Sequence, residues 1–118
     1  MAYVINAGEL RTPCVVEEAI TEYDSNAEPV VIWENVFGEG NWLWCAFDLV
    51  SEEREEDGRR MVLETANITT RYSPRVHEAC RIYPQSEPGR PYLIESAQKI
   101  PHRDGWMKIV AKRRRAAL

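Results

Sequence analysis

Apolar and polar positions in this chain mostly alternate, the two-residue period of extended strands, and do not return every third or fourth residue as on a helix. The pattern is clearest from Arg60 to Tyr72. There Val62, Ala66, Ile68, Thr70 and Tyr72 fall on one side, with Met61, Leu63, Asn67, Thr69 and Arg71 on the other. Its β-branched and aromatic residues favour a pleated, half-buried conformation, and no Gly or Pro interrupts it. Such a run is long against the usual strand of about five or six residues. With the apolar segment before it, it predicts a long hairpin.

The other segments are shorter. Asn6 to Arg11 holds a turn signal and one apolar anchor, Leu10. Thr12 to Glu18 predicts a first strand carrying Val15 and Val16, and Pro13 at its start predicts an edge position, because proline cannot donate to a ladder. Ala19 to Pro29, with the turn cluster Asp24-Ser25-Asn26, predicts a loop containing a helical turn. Val30 to Val36 is a second strand, and Gly38-Glu39-Gly40 a tight reversal through positive φ.

Asn41 to Val50 is apolar on both faces, with Trp42, Trp44 and Ala46 opposite Leu43, Cys45, Phe47 and Leu49. A strand of that kind must be covered on both sides, by a second layer or by another subunit. After Ser73-Pro74-Arg75, further strands are expected at His77 to Tyr83, Tyr92 to Ala97 and Gly105 to Lys112, separated by a Pro-rich turn and by Ile100 to Asp104. The expected fold class is all-β: one domain over 1–118, a small antiparallel β-barrel of about six to seven strands with a long charged hairpin loop.

Composition supports one globular domain: 118 residues, 44% hydrophobic and 29% charged. No apolar run approaches the roughly 20 residues that cross a bilayer, and Met1 to Asn6 lacks a basic region before an apolar block. The expectation is a soluble, unsecreted protein. Cys14, Cys45 and Cys80 are odd in number, widely spaced and set among apolar residues, which predicts small buried hydrophobes in a reducing compartment.

The net charge of -4 is unevenly placed. Ser51 to Gly58 sets Glu52, Glu53, Glu55, Glu56 and Asp57 against Arg54, within a loop expected to protrude at 51–60, while Lys112, Arg113, Arg114 and Arg115 begin a basic C-terminal tail at 112–118. That tail either is a solvated end or grips phosphates or an acidic neighbour.

No catalytic constellation emerges, and the chain is expected not to be an enzyme. His77 and His102 have no second ligand at metal spacing, the acidic run lacks the order of a calcium loop, and no phosphate loop or nucleophile elbow is present. No metal and no cofactor is expected. Trp33, Trp42, Trp44, Tyr72, Tyr92 and Trp106 would suit a base-stacking platform, but the aromatics of the third strand run into acidic residues, which favours core or interface packing.

In order, these landmarks carry a resemblance. Gly8, Leu10 and Arg11 before a strand, Trp33 in the next, Trp44-Cys45-Ala46, a charged loop, Thr69, Arg71 and Tyr72 at a strand end, Tyr92 and Ile94, then Met107 and Ile109 together resemble the small head-closure or head-tail adaptor proteins of long-tailed bacteriophages. The resemblance implies a structural virion protein of the neck, assembled in the host cytoplasm. It would form a homo-oligomeric ring below the portal, close the DNA-filled head and offer the tail its docking surface. Portal or adaptor protein would lie above, tail protein below, and double-stranded DNA would pass through without sequence-specific binding.

On that reading Glu52, Glu53, Arg54, Glu55, Glu56 and Asp57 form the channel or gating loop. Trp42, Trp44, Phe47, Lys112, Arg113, Arg114 and Arg115 form subunit or partner interfaces. The alternatives are a tail-completion or other neck protein with a related barrel, and a β-barrel that binds single-stranded nucleic acid.

Overall fold

The computed structural model describes residues 10–116, so Gly8, with the rest of the N-terminal landmark before Leu10, and residues 117–118 lie outside the described residues. Seven strands succeed one another in that range: β1 (Thr12–Tyr23), β2 (Pro29–Asn35), β3 (Leu43–Glu56), β4 (Arg59–Arg71), β5 (Cys80–Pro84), β6 (Tyr92–Lys99) and β7 (Trp106–Ala116). Every pairing is antiparallel, and no helix occurs among the described residues.

The strands close on themselves in the order β1, β3, β4, β7, β6, β5 and back to β1. β1 makes the closure. Cys14 pairs with Leu43 of β3 on one edge and with Pro84 of β5 on the other. β2 joins β1 farther along, from Glu17↔Asn35 to Tyr23↔Pro29. The all-β, antiparallel ring expected from the alternation is therefore present.

Side chains point into the ring at every second position. Along β4 the buried residues are Val62, Glu64, Ala66, Ile68 and Thr70, with half-buried residues between them. Cys14, Val16, Cys45, Ile82, Tyr92, Met107 and Ile109 fill the same core. All three cysteines are free and buried, and the hydrogen bond with the adjacent Cys45 thiol, together with burial, pushes the Cys14 thiol far up, which keeps it protonated. The one buried hydroxyl on β4, Thr70, donates to the Trp44 carbonyl at 2.8 Å and pins β4 to β3.

Several boundaries differ from expectation, β5 starting at Cys80 and not at His77 among them, and three differences bear on the site. β1 is not an edge strand: it pairs on both sides, and Pro13, which has no N–H to give, still accepts from the Gln85 N–H at 2.8 Å through its carbonyl. Ala19 to Tyr23 are not loop but the continuation of β1, paired residue for residue with β2. The turn cluster does close that hairpin. The Asp24 carboxylate accepts from the Asn26 and Glu28 N–H groups at 2.8 and 2.9 Å, an Asx turn that replaces the expected helical turn.

The third difference concerns the charged segment, where residues 51–56 are strand and pair with β4 up to Glu56↔Arg59. Only Asp57 and Gly58 turn, with φ of 51° and 74°. Both lie in the left-handed region, as in the two-residue type I′ turn that matches strand twist. Cross-strand hydrogen bonds have replaced the loop.

The two hairpins leave the ring at opposite ends. β1 runs antiparallel to β3, so beyond Cys14 it passes the start of β3 while β3 extends the other way to its turn. The molecule measures 54 × 40 × 25 Å, elongated by these ribbons.

A Cβ added at Gly58 would meet nothing within 4 Å, so the cost of substitution there is purely conformational. Gly58→Ala is expected to lower unfolding free energy by about 1–2 kcal/mol through the left-handed penalty alone. Urea denaturation reads this as a lower midpoint with unchanged slope.

Candidate functional site

The β3–β4 ribbon is the most charged part of the fold. Strand alternation places Glu53 and Glu55 on its core-facing side, and Glu52, Arg54 and Glu56 on its outer side. Register sets Glu55 opposite Arg60 and Glu56 opposite Arg59, while Arg54 bonds Glu52 at 3.3 Å. Residues 51–55 are exposed. The expected acidic tip is thus a mixed-charge ribbon, because the hairpin register brings the arginines after the turn against the carboxylates before it.

The basic residues expected as a tail complete this arrangement. Lys112 to Arg115 belong to β7, whose register runs to Met61↔Ala116, so a third strand supports the ribbon nearly to its turn. The acidic neighbour is in the same chain. Arg114 meets Glu56 at 3.2 Å and Lys112 meets Glu95 at 2.8 Å. Arg113 and Arg115 point inward, following the parity of Ile109 and Ala111.

Both bind Glu64, a carboxylate only 3% exposed. Arg113 Nη2 lies 2.6 Å from Glu64 Oε2 and Arg115 Nε 2.6 Å from Oε1. The Tyr92 hydroxyl donates to the same carboxylate at 3.4 Å. Arg113 also donates to the Arg90 carbonyl at 2.9 Å and stacks over the Tyr92 ring at 4.1 Å. Burial pushes the Glu64 carboxyl up, but the Arg115 and Arg113 guanidiniums outweigh it and hold it below its usual value. Burial likewise raises the Tyr92 hydroxyl.

Sequence reasoning passed over Glu64. Its signal was parity: it shares the inward phase of Val62 and Ala66, and a carboxylate there needs cationic partners.

The aromatic residues divide by face. Phe47 sits edge-on to Tyr92 at 5.6 Å within the body, so it is not part of the outer surface. Trp42 and Trp44 are on the outer face, 43% and 49% exposed, in a T-shaped pair at 6.3 Å. Near them Arg71 covers Trp106 at 5.1 Å and Lys99 covers Tyr72 at 4.4 Å. Trp33 lies elsewhere, under Arg81, which also bonds Glu17 at 2.7 Å. No continuous stacking platform forms from the six.

Along the outer side of β4, β7 and β6 runs an open groove of about 590 Å³, its apolar floor made by Leu63 and Leu93 and its rim by Arg54, Lys112 and Arg114. Among the described residues no three His, Cys, Asp or Glu side chains converge as metal ligands. His77 lies 3.6 Å from Glu18, and His102 occupies the β6–β7 turn with φ of 60°. What the site can do chemically is present paired charges and exposed aromatics to another surface.

No protein-family model matches this chain, and no curated protein matches it. Solved structures do share its fold. A chain from the virion of a native gene transfer agent (GTA) particle superposes with a TM-score of 0.67 at 16% identity, covering 91% of this chain and 96% of its own. Protein SF1141 from Shigella flexneri 2a superposes with a TM-score of 0.64 at 22% identity, covering 92% and 96%.

Glu64→Gln leaves Arg113 buried without its counter-charge and is expected to cost about 3 kcal/mol at neutral pH. The folded carboxyl titrates below its unfolded value, so its contribution is present above the unfolded pKa and is lost as pH falls through the folded one. Urea titrations from pH 7 to pH 2 are expected to show the gap between wild type and variant closing at the acid end.

Proposed function

We propose that this protein is a structural component of a phage-type virion, situated in the neck. There it forms a ring below the portal, closes the DNA-filled head and provides the surface to which the tail attaches. The observation that carries this reading is the superposition of nearly the whole chain on a chain from a GTA virion particle. The sequence landmarks of head-closure and head-tail adaptor proteins point the same way.

The geometry supports a subunit rather than a solitary molecule. Two ribbons project from opposite ends of the ring, and Trp42, Trp44, Val31 and Leu93 stay uncovered. Large exposed apolar side chains mark surfaces meant for contact. A subunit with two unlike contact surfaces joins its copies head to tail, and such contacts close into a ring when the rotation permits.

On this reading the 51–57 ribbon projects toward the lumen and gates it. Its Glu52, Glu53, Glu55, Glu56 and Asp57 carboxylates are held beside Arg54, Arg59, Arg60 and Arg114. Duplex DNA therefore meets alternating charge with no sequence-specific grip. Each exposed charge interacts with a phosphate by only about 1 kcal/mol at 4 Å in water and is screened within about 10 Å. Repetition around a ring makes the sum matter. Trp42 and Trp44 on the outer face then contact portal, tail or neighbouring subunits.

Replacing Glu52, Glu53, Glu55 and Glu56 with Gln breaks only surface pairs, each contributing about 0–1 kcal/mol, so the fold is expected to survive. Particles assembled with this variant are expected to contain the protein in normal amount but to lose packaged DNA or fail to pass it. Unchanged infectious yield overturns the gating role. Recovery of the wild-type protein on tails lacking heads, and not on filled heads, would reassign it to tail completion.

A further inference from the structure

The acidic and basic residues of this chain are segregated along the sequence. Residues 12–53 contain ten carboxylates and neither Lys nor Arg, whereas residues 54–118 contain fourteen Lys or Arg against eight carboxylates. The fold turns this into a separation across the ring. In the circuit β1, β3, β4, β7, β6, β5, strands β1 and β7 stand three steps apart in either direction, so they are diametrically opposed.

On the β1 side, the β1–β2 ribbon extends past β5, whose pairing with β1 ends at Glu18↔Cys80. The overhanging part is covered on neither face: Val30 is 41% exposed, Val31 60% and Ile32 37%. Directly opposed residues share a face, so Ile20, Val30 and Ile32 form one apolar patch, bordered by Glu22 and Glu34. On the opposite side, the outer face of β7 alternates with its buried Met107, Ile109 and Ala111 and presents Lys108, Val110, Lys112 and Arg114, of which Lys112 and Arg114 also pair with Glu95 and Glu56 of the same chain. Leu93, 62% exposed, pairs beside Lys112 and widens the apolar strip.

We propose that the acidic β1–β2 arm of one copy docks on the basic outer face of β7 and β6 of the next copy. Ile20, Val30 and Ile32 cover Val110 and Leu93, while Glu22 and Glu34 meet Lys108 and the half-exposed Lys112, which they share with its own Glu95. The two surfaces lie on opposite sides of one molecule, so no copy can satisfy its own arm, and the contact propagates head to tail. The occupant is a second copy because the patches match in sign and in character: carboxylates around an aliphatic centre against ammonium groups around another. Complementary charge of this kind sets partner and register and speeds encounter. One arm is small, so a single contact is weak; closure of a ring converts the last contact into an intramolecular one. This inference rests on the ring proposed above and names its subunit contact.

The experiment is sedimentation of the full chain from low to about 1 mM protein, at low and high salt. Wild type is expected to self-associate and to weaken as salt rises. Glu22→Lys with Glu34→Lys, or Lys108→Glu with Lys112→Glu, is expected to weaken association about tenfold or more, the first with an unchanged unfolding midpoint and the second with only the small drop that loss of the exposed Lys112–Glu95 pair brings. A chain carrying all four changes is expected to regain it. Three results overturn the proposal: a wild type monomeric throughout, charge-reversed variants that associate like wild type, or a β7 face that binds duplex DNA and leaves self-association unaffected by its reversal. Because the readout is self-association alone, it is separable from the neck assignment. A chain that docks as described yet is missing from particles refutes the assignment and keeps the contact, and a particle-bound ring indifferent to the reversals does the opposite.

Discussion

Closure of the sheet rests on a single short stretch of β1, where Cys14 is paired with β3 on one edge and β5 on the other. Strands far apart in sequence meet there, and every inward-facing side chain of β3, β4, β7, β6 and β5 depends on the circuit being complete to find neighbours on all sides. Closure also removes most of the free edges that would recruit other strands. What it leaves free is the far part of β1 with β2, and the turn end of the β3–β4 ribbon. Those two projections are where contact with other molecules becomes possible.

The same constraint explains the treatment of charge. A strand that enters a closed ring must put every second residue inside, whatever its polarity. Glu64 falls on that phase and is buried, which would be costly alone. β7 is bound by the same parity, and it supplies Arg113 and Arg115 at the matching level. The pairing explains why a run of basic residues that looks like a solvated end is ordered strand. It also stiffens the base of the ribbon, so the projection is anchored by a buried ion cluster while its outer pairs remain in water.

A rigidly anchored, mixed-charge ribbon at one end and an acidic, apolar arm at the other give the subunit a direction. The chain from the GTA virion particle shares this fold. Sequence identity of 16% shows how little of the surface chemistry such a fold dictates.

Several features were legible in the residues themselves, and each has local physics behind it. Two-residue alternation identified β4 and its faces, because strand parity needs only neighbouring residues. The positive-φ turn at Gly38 and Gly40 follows from residue type, and the exposure of residues 51–55 from a segment too charged to bury. What the tertiary structure decided were the matters of partnership. Ala19 to Tyr23 became strand because β2 came back alongside, and 51–56 became strand because β4 returned in register. Lys112 to Arg115 became strand because β4 lies alongside, with Glu64, some fifty positions earlier, opposite Arg113 and bonded to both Arg113 and Arg115. A strand's hydrogen bonds and a buried ion's counter-charge come from residues distant in sequence, so the chain alone specifies which side chains need a partner and only the closed ring says which partner they get.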